Sequence, residues 1–187
     1  MSAYADLAAR AAEEMKAAAL AVDTAQLDAL IEEIAGAARI ALYGVGREGL
    51  MMKALGMRLY HLGLDAHIVG DMTTPPLGPG DLLLVSAGPG EFSTVRALVG
   101  VAQGAGARAA CITAQPDGPV PALCDSVLTI PAQTMADDQA PAPASVLPMG
   151  SLYEGAQYLV FECLVLMLRD RLGVGAQAMR ATHTNLE

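Results

Sequence analysis

Two glycine-rich turns carry the residues in this chain best suited to holding an anion. The first, Gly44-Val45-Gly46-Arg47-Glu48-Gly49, follows an apolar run and opens a helical pattern. Backbone N–H groups at a helix start, aided by the helix dipole, favour a negative group there. The second turn lies within Val85–Thr94, VSAGPGEFST, and again joins an apolar run to a helical pattern. It offers Ser86, Gly88, Gly90, Glu91, Ser93 and Thr94, while Ala87 and Pro89 stand at two positions with no hydroxyl to donate. Either turn alone is also explained by glycines that permit a tight bend. Together, at successive strand ends, they point to a small anionic ligand shared between them. The first turn invites comparison with the dinucleotide fingerprint, but the acidic residue required about 20 positions further on has no unambiguous counterpart. No nucleotide cofactor is expected.

The titratable candidates are few. Glu154 sits in the first turn of the last long helical pattern, where an acid also complements the helix dipole. His183 lies in a polar tail beyond Gly173 and Gly175, where no core face explains it. Near neutral pH it can give and accept protons, or it can be a solvated or interface group. His61 closes a helical segment, and His67 alternates within a strand, which suits a structural role. Cys111, Cys124 and Cys163 match no zinc spacing and read as reduced core residues, so no metal is expected.

The elements that must position these groups alternate regularly. Two Ala-rich helices come first, over 3–20 and then from Thr24, read as an N-cap, with Leu27, Leu30, Ile31 and Ile34 at helical spacing. Strands are expected at Arg39–Tyr43, Ala66–Val69, Leu82–Ser86, Ala107–Thr113 and Ser126–Ile130, with helices near 48–62, 93–105 and 120–124. This is the βαβ rhythm of a parallel sheet covered on both faces. Residues 131–148 turn proline-rich and read as a loop, because too little chain follows for a second core. A long helix over 149–172 then ends at Gly173. The organisation expected is one domain over 1–187: N-terminal helices 1–36, an α/β core 39–130, the proline-rich loop 131–148, and a helix with tail over 149–187.

Composition narrows the function. A net charge of −9, with eleven scattered Lys and Arg, leaves no electrostatic footprint for nucleic acid. The 53% hydrophobic content exceeds one core's needs and suggests subunit interfaces. The longest apolar stretch, Leu159 to Leu168, is interrupted by Glu162 and too short for a membrane span. The N-terminal sequence has no secretory signal pattern, so the expectation is a cytoplasmic protein with no nucleic-acid or membrane partner.

Several phrases, taken in order, resemble the sugar isomerase (SIS) domain family. They are the turn G-[VA]-G-R-x-G, the segment MRLYHLGLDAHIVG, the loop G-x-G-E-x-[ST]-T, the helix start S-L-Y-E and the ending T-H-x-x-L-E. The likeness spans essentially the whole chain and is nearest to the 6-phospho-3-hexuloisomerases. It implies a three-layer α-β-α sandwich around a five-stranded parallel flavodoxin-like sheet. It also implies a homotetramer, with a dimer as the alternative, and interconversion of 3-hexulose 6-phosphate and fructose 6-phosphate without a cofactor. Under the resemblance, Gly46, Arg47, Glu48, Ser86, Ala87, Gly88, Pro89, Gly90, Glu91, Ser93 and Thr94 surround the sugar phosphate. Glu154 is then the base, and His183, in its own or a neighbouring subunit, or His61 moves protons or opens the ring. Two departures stand out. Glu48 replaces a usual serine and sets a negative charge near a dianion, and Ala87 and Pro89 replace hydroxyl donors. An isomerase of a different sugar or sugar acid, or a non-catalytic sugar-phosphate-binding protein, therefore stays open as an alternative.

Overall fold

Five strands, hydrogen-bonded in the order β2-β1-β3-β4-β5 and all parallel, form the centre of the molecule. They are β1 (Ile40–Gly44), β2 (Ala66–Ile68), β3 (Leu82–Ser86), β4 (Arg108–Thr113) and β5 (Ser126–Thr129). The helices are α1 (Ala3–Leu20), α2 (Thr24–Gly36), α3 (Gly46–His61), α4 (Ser93–Gly104), α5 (Ser151–Leu172) and α6 (Ala176–Ala181). A computed structural model of the protein describes residues 2–138 and 145–186. The part of the proline-rich loop over 139–144 lies outside the described residues.

Alternation along the strands builds two cores. In β1 and β3, Ile40, Leu42, Leu82 and Leu84 face one way and pack with residues of α1, α2, α3 and α5. Ala41, Leu83 and Val85 face the other way, against Val95, Val99 and Ala102 of α4. Each strand is thus apolar on both faces, as a doubly covered parallel sheet demands. The result is the three-layer α/β sandwich with a five-stranded parallel sheet that the sequence leads one to expect.

Several expectations shift in detail. The N-cap of α2 is Asp23, not Thr24: its Oδ1 accepts from the N–H groups of Ala25 and Gln26 at 2.7 and 3.3 Å. A carboxylate reaches two orphan donors here, and Thr24 becomes the first helical residue. Helix α3 begins at Gly46 rather than Glu48, so the glycine turn is itself the first helical turn. The polar tail contains a helix, α6, and Cys163 is exposed on α5 while Cys111 is buried. By length and composition α5 could cross a membrane, but its buried residues, from Leu152 to Leu168, place it in the core.

Strand order reverses between β1 and β3, since the chain runs outward to β2 and then returns to the other side of β1. In open parallel sheets ligands bind at such a switch, beyond the carboxyl ends of the strands. Both glycine turns lie there. Gly44, Gly46 and Gly49 occupy all three glycine positions of the G-x-G-x-x-G pattern; close packing accounts for Gly44 and Gly49, and a left-handed φ of +59° for Gly46. A Cβ on Gly49 would lie 2.5 Å from the Gly44 carbonyl oxygen.

Candidate active site

A cleft of about 400 Å³ opens where the first turns of α3 and α5 face the turn after β3. Its lining includes Gly46, Arg47, Glu48, Phe92, Met149, Ser151 and Glu154. None of the helices α3, α4 and α5 has a side-chain N-cap, which leaves amide donors of their first turns without side-chain partners.

Arg47 fastens one wall to the other. Its guanidinium donates to Ser151 Oγ and to the Met149 carbonyl, both at 2.9 Å, and meets Glu154 Oε2 at 2.8 Å. Met149 and Gly150 take φ of +53° and +82°, two successive left-handed residues just before α5. For Met149 this conformation is strained, and the Arg47 hydrogen bond helps to hold it. Glu154 sits at the start of α5 with its side chain 16% exposed. Burial raises its carboxyl above the usual range, and the Arg47 charge and hydrogen bond pull it partly back.

Glu48 points inward beneath the cleft. Its Oε2 accepts from Ser86 Oγ at 2.5 Å and from the Gly88 N–H at 2.9 Å. Ser86 is fully buried, accepts from Gln157 Nε2 at 2.9 Å and lies 3.3 Å from the Tyr153 hydroxyl. Gln157 is fully buried too, and its Oε1 has no partner among the described residues. Burial pushes the Glu48 carboxyl up, the two hydrogen bonds oppose this, and the nearby Glu154 charge adds to the rise. Tyr153 is held well above the ordinary phenol range, first by burial and then by Glu48.

This geometry sorts the residues anticipated from sequence. Arg47, Glu48, Ser86, Gly88 and Glu154 come together. Ser86, Ala87 and Gly88 are not open donors, however, because all three are buried. The Ser86 hydroxyl and the Gly88 N–H are engaged by Glu48, and the Ala87 N–H goes to the Ile112 carbonyl. Gly90 is buried as well, with its N–H on the Ala87 carbonyl and φ of +81°. Pro89 is half-buried, Glu91 pairs with Arg96 at 3.0 Å, and Ser93 and Thr94 are exposed in the first turn of α4.

The histidines lie elsewhere. His61 and His183 stack on each other with ring centroids 5.4 Å apart, and Thr182 Oγ1 donates to the His61 carbonyl. His61 ends α3, whereas Arg47, which holds Glu154, starts it. Fourteen residues at 1.5 Å rise put about 21 Å between the two ends. Within one protomer, then, the stacked His61 and His183 lie at the opposite end of α3 from Arg47 and Glu154. Tyr153 and Gln157 were missed from sequence. The signal was a lone amide at Gln157 among the apolar buried residues Ala156, Val160 and Phe161.

An α/β sandwich with paired glycine turns at its switch point and an Arg-held carboxylate beside them defines a class, and comparison gives it a name. The SIS domain model matches residues 33–154, and the chain belongs to this family. It is 38% identical over 175 residues to the 3-hexulose-6-phosphate isomerase of Mycobacterium gastri, covering 94% of this chain and 87% of the relative. To the 3-hexulose-6-phosphate isomerase of Bacillus subtilis it is 32% identical, covering 93% and 94%. A Methanococcus jannaschii protein, whose crystal structure was taken to infer 3-hexulose-6-phosphate isomerase function, superposes with a TM-score of 0.82 at 25% identity, covering 95% of this chain and 97% of that one.

Proposed function

We propose that the protein is a 3-hexulose-6-phosphate isomerase that moves the carbonyl from C3 to C2 to give fructose 6-phosphate. The relatives named 3-hexulose-6-phosphate isomerase, similar over most of the chain, support the substrate. The observation that carries the chemistry is Glu154: a carboxylate partly withdrawn from water, oriented by Arg47, at the edge of a cleft at the sheet's switch point. In this reading Glu154 removes the proton from C2, the electron pair forms the C2–C3 double bond of an enediol, and the proton returns to C3. The O2 proton leaves as a proton is taken up by O3. The phosphoryl end rests at the mouth formed by Gly46, Arg47, Ser93 and Thr94, near the uncapped first turns of α3 and α4. No cofactor or metal enters this reading, and a chelator is expected to leave the rate unchanged.

His183 acts between oxygens in this scheme only from a neighbouring copy, because its own Glu154 is too far along α3. A homo-oligomer, a tetramer by preference, fits the exposed apolar side chains Leu50, Met57 and Tyr60 on α3 and Tyr158, Leu159, Leu166 and Met167 on α5. Light scattering after gel filtration checks the oligomer. A cytoplasmic location is part of the same proposal. The deciding experiment follows solvent deuterium into fructose 6-phosphate by NMR. Wild type is expected to exchange, and Glu154→Gln is expected to lose exchange while keeping its circular dichroism. Binding of fructose 6-phosphate without exchange in the wild type would refute the isomerase. A mutant exchanging at the wild-type rate would remove Glu154 from the chemistry.

A further inference from the structure

The turn after β3 already holds an anion of its own. Two donors at the end of that strand, the Ser86 hydroxyl and the Gly88 N–H, converge on one oxygen of Glu48 at 2.5 and 2.9 Å. A pair of convergent donors at a strand end is what a phosphoryl oxygen would use. The occupant is well enclosed: Glu48 is 6% exposed. A Cβ on Gly88 would meet Glu48 Oε1 at 2.9 Å and the Tyr153 ring at 2.8 Å, so little space remains beside the carboxylate. Among the described residues no cation pairs with Glu48. Arg47, its neighbour in the chain, is turned to Glu154, Met149 and Ser151.

We propose that Glu48 is an internal competitor for the phosphoryl end of the substrate. Its carboxylate fills the Ser86–Gly88 cradle, and a sugar phosphate gains those donors only when this side chain is neutral or turned aside. The inference rests on the sugar-phosphate reading above and deepens it, by making position 48 the residue that sets how tightly the phosphoryl group is held. The groups that face Glu48 are Ser86 and Gly88 from β3 and its turn, Tyr153, Glu154 and Gln157 from α5, and Cys111 from β4. None of these brings positive charge, so nothing in the cradle softens repulsion between an ionised Glu48 and a dianion. The carboxyl is already raised by burial. Lowering the pH through its titration therefore empties the cradle of charge and strengthens anion binding.

Calorimetric titration with sulfate, whose charge is constant between pH 5 and 8, tests this without turnover. Glu48→Gln keeps the side-chain shape and removes the charge, and is expected to bind sulfate about tenfold more tightly than wild type at pH 8, equivalent to about 1.4 kcal/mol. Glu48→Ser, which also frees both donors, is expected to bind at least as tightly as the glutamine variant. Wild-type affinity should climb from pH 8 to 5 more steeply than that of Glu48→Gln. If neither variant gains affinity at pH 8, or if wild type and Glu48→Gln share one pH dependence, the proposal is overturned. Should the serine variant not fold, the glutamine variant decides alone. The two readings fail separately: a gain in Glu48→Gln with no wild-type exchange into fructose 6-phosphate sinks the isomerase and keeps the cradle, and exchange without that gain does the reverse.

Discussion

Replacing Ser86 by alanine strikes the junction of the buried polar network. The hydroxyl donates to Glu48 at 2.5 Å, accepts from Gln157 at 2.9 Å and is fully buried. Losing a hydrogen bond to a charged acceptor costs about 1.5–3 kcal/mol, and leaving a buried amide donor unsatisfied costs about 1–3 kcal/mol. Gln157 Nε2 would keep only the Met52 sulfur at 3.9 Å, and Gln157 Oε1 is already without a partner among the described residues. The two losses share one atom and do not add in full, which gives a net cost of about 2–4 kcal/mol. For a chain of this length that is a fall in Tm of roughly 5–15 °C. The Ser86 bond favours the ionised form of Glu48, so its loss raises that carboxyl further. The penalty is therefore largest above the raised pKa, where Glu48 is charged, and shrinks as pH falls through it. Urea denaturation at pH 8 and pH 5, at fixed protomer concentration, measures both the size and the trend. A loss below about 0.5 kcal/mol at pH 8, or a penalty that grows on acidification, would refute this account of what holds Glu48.

Other perturbations follow from contacts already described. Arg47→Met removes the cation that lowers the Glu154 carboxyl, so the acid limb of the kcat/KM profile should move to higher pH, and an unmoved limb would dissociate the pair. Gly49→Ala sets a Cβ against a backbone oxygen that cannot swing away, and should cost about 2 kcal/mol or more in a thermal melt. Mixing inactive Glu154→Gln with inactive or slowed His183→Ala protomers should restore part of the exchange activity, since some sites then receive both wild-type groups. No recovery after subunit mixing, confirmed by mass, would count against action between copies.

The sheet was legible because its residues obey one rule many times over. Apolar runs in β1, β3 and β4 sit between glycine turns and amphipathic helices, and the expected strands agree with the observed ones to within a residue or so at each end. The Arg47–Glu154 contact, 107 positions apart in sequence, was not legible, because pairing across that separation depends on where α5 lands. Glu48 shows the same limit. Sequence reasoning set a charge near a ligand, but only folding reveals that the side chain turns inward and engages the Ser86 hydroxyl and the Gly88 amide. The helix α6 was not legible because six residues, none of them fully buried, leave no periodic signal. His61 was correctly placed at the close of a helix, but its stacking on His183, 122 positions on, depends on where the tail folds back and was not legible.

The walls of the Glu48 cradle are fastened from behind. Thr113 Oγ1 donates to the Ala87 carbonyl at 2.7 Å, Ala114 N–H donates to the Gly88 carbonyl at 3.0 Å, and the Gly90 carbonyl accepts from Val120. Gly90 and Gly118 touch so closely that a Cβ on Gly118 would fall 2.5 Å from the Gly90 Cα. A loop welded to its neighbour by main-chain contacts cannot be reshaped by small steps. Divergence in such a scaffold runs through the occupant instead of the container: one residue that reaches into a rigid cradle can change ligand preference without renegotiating the fold.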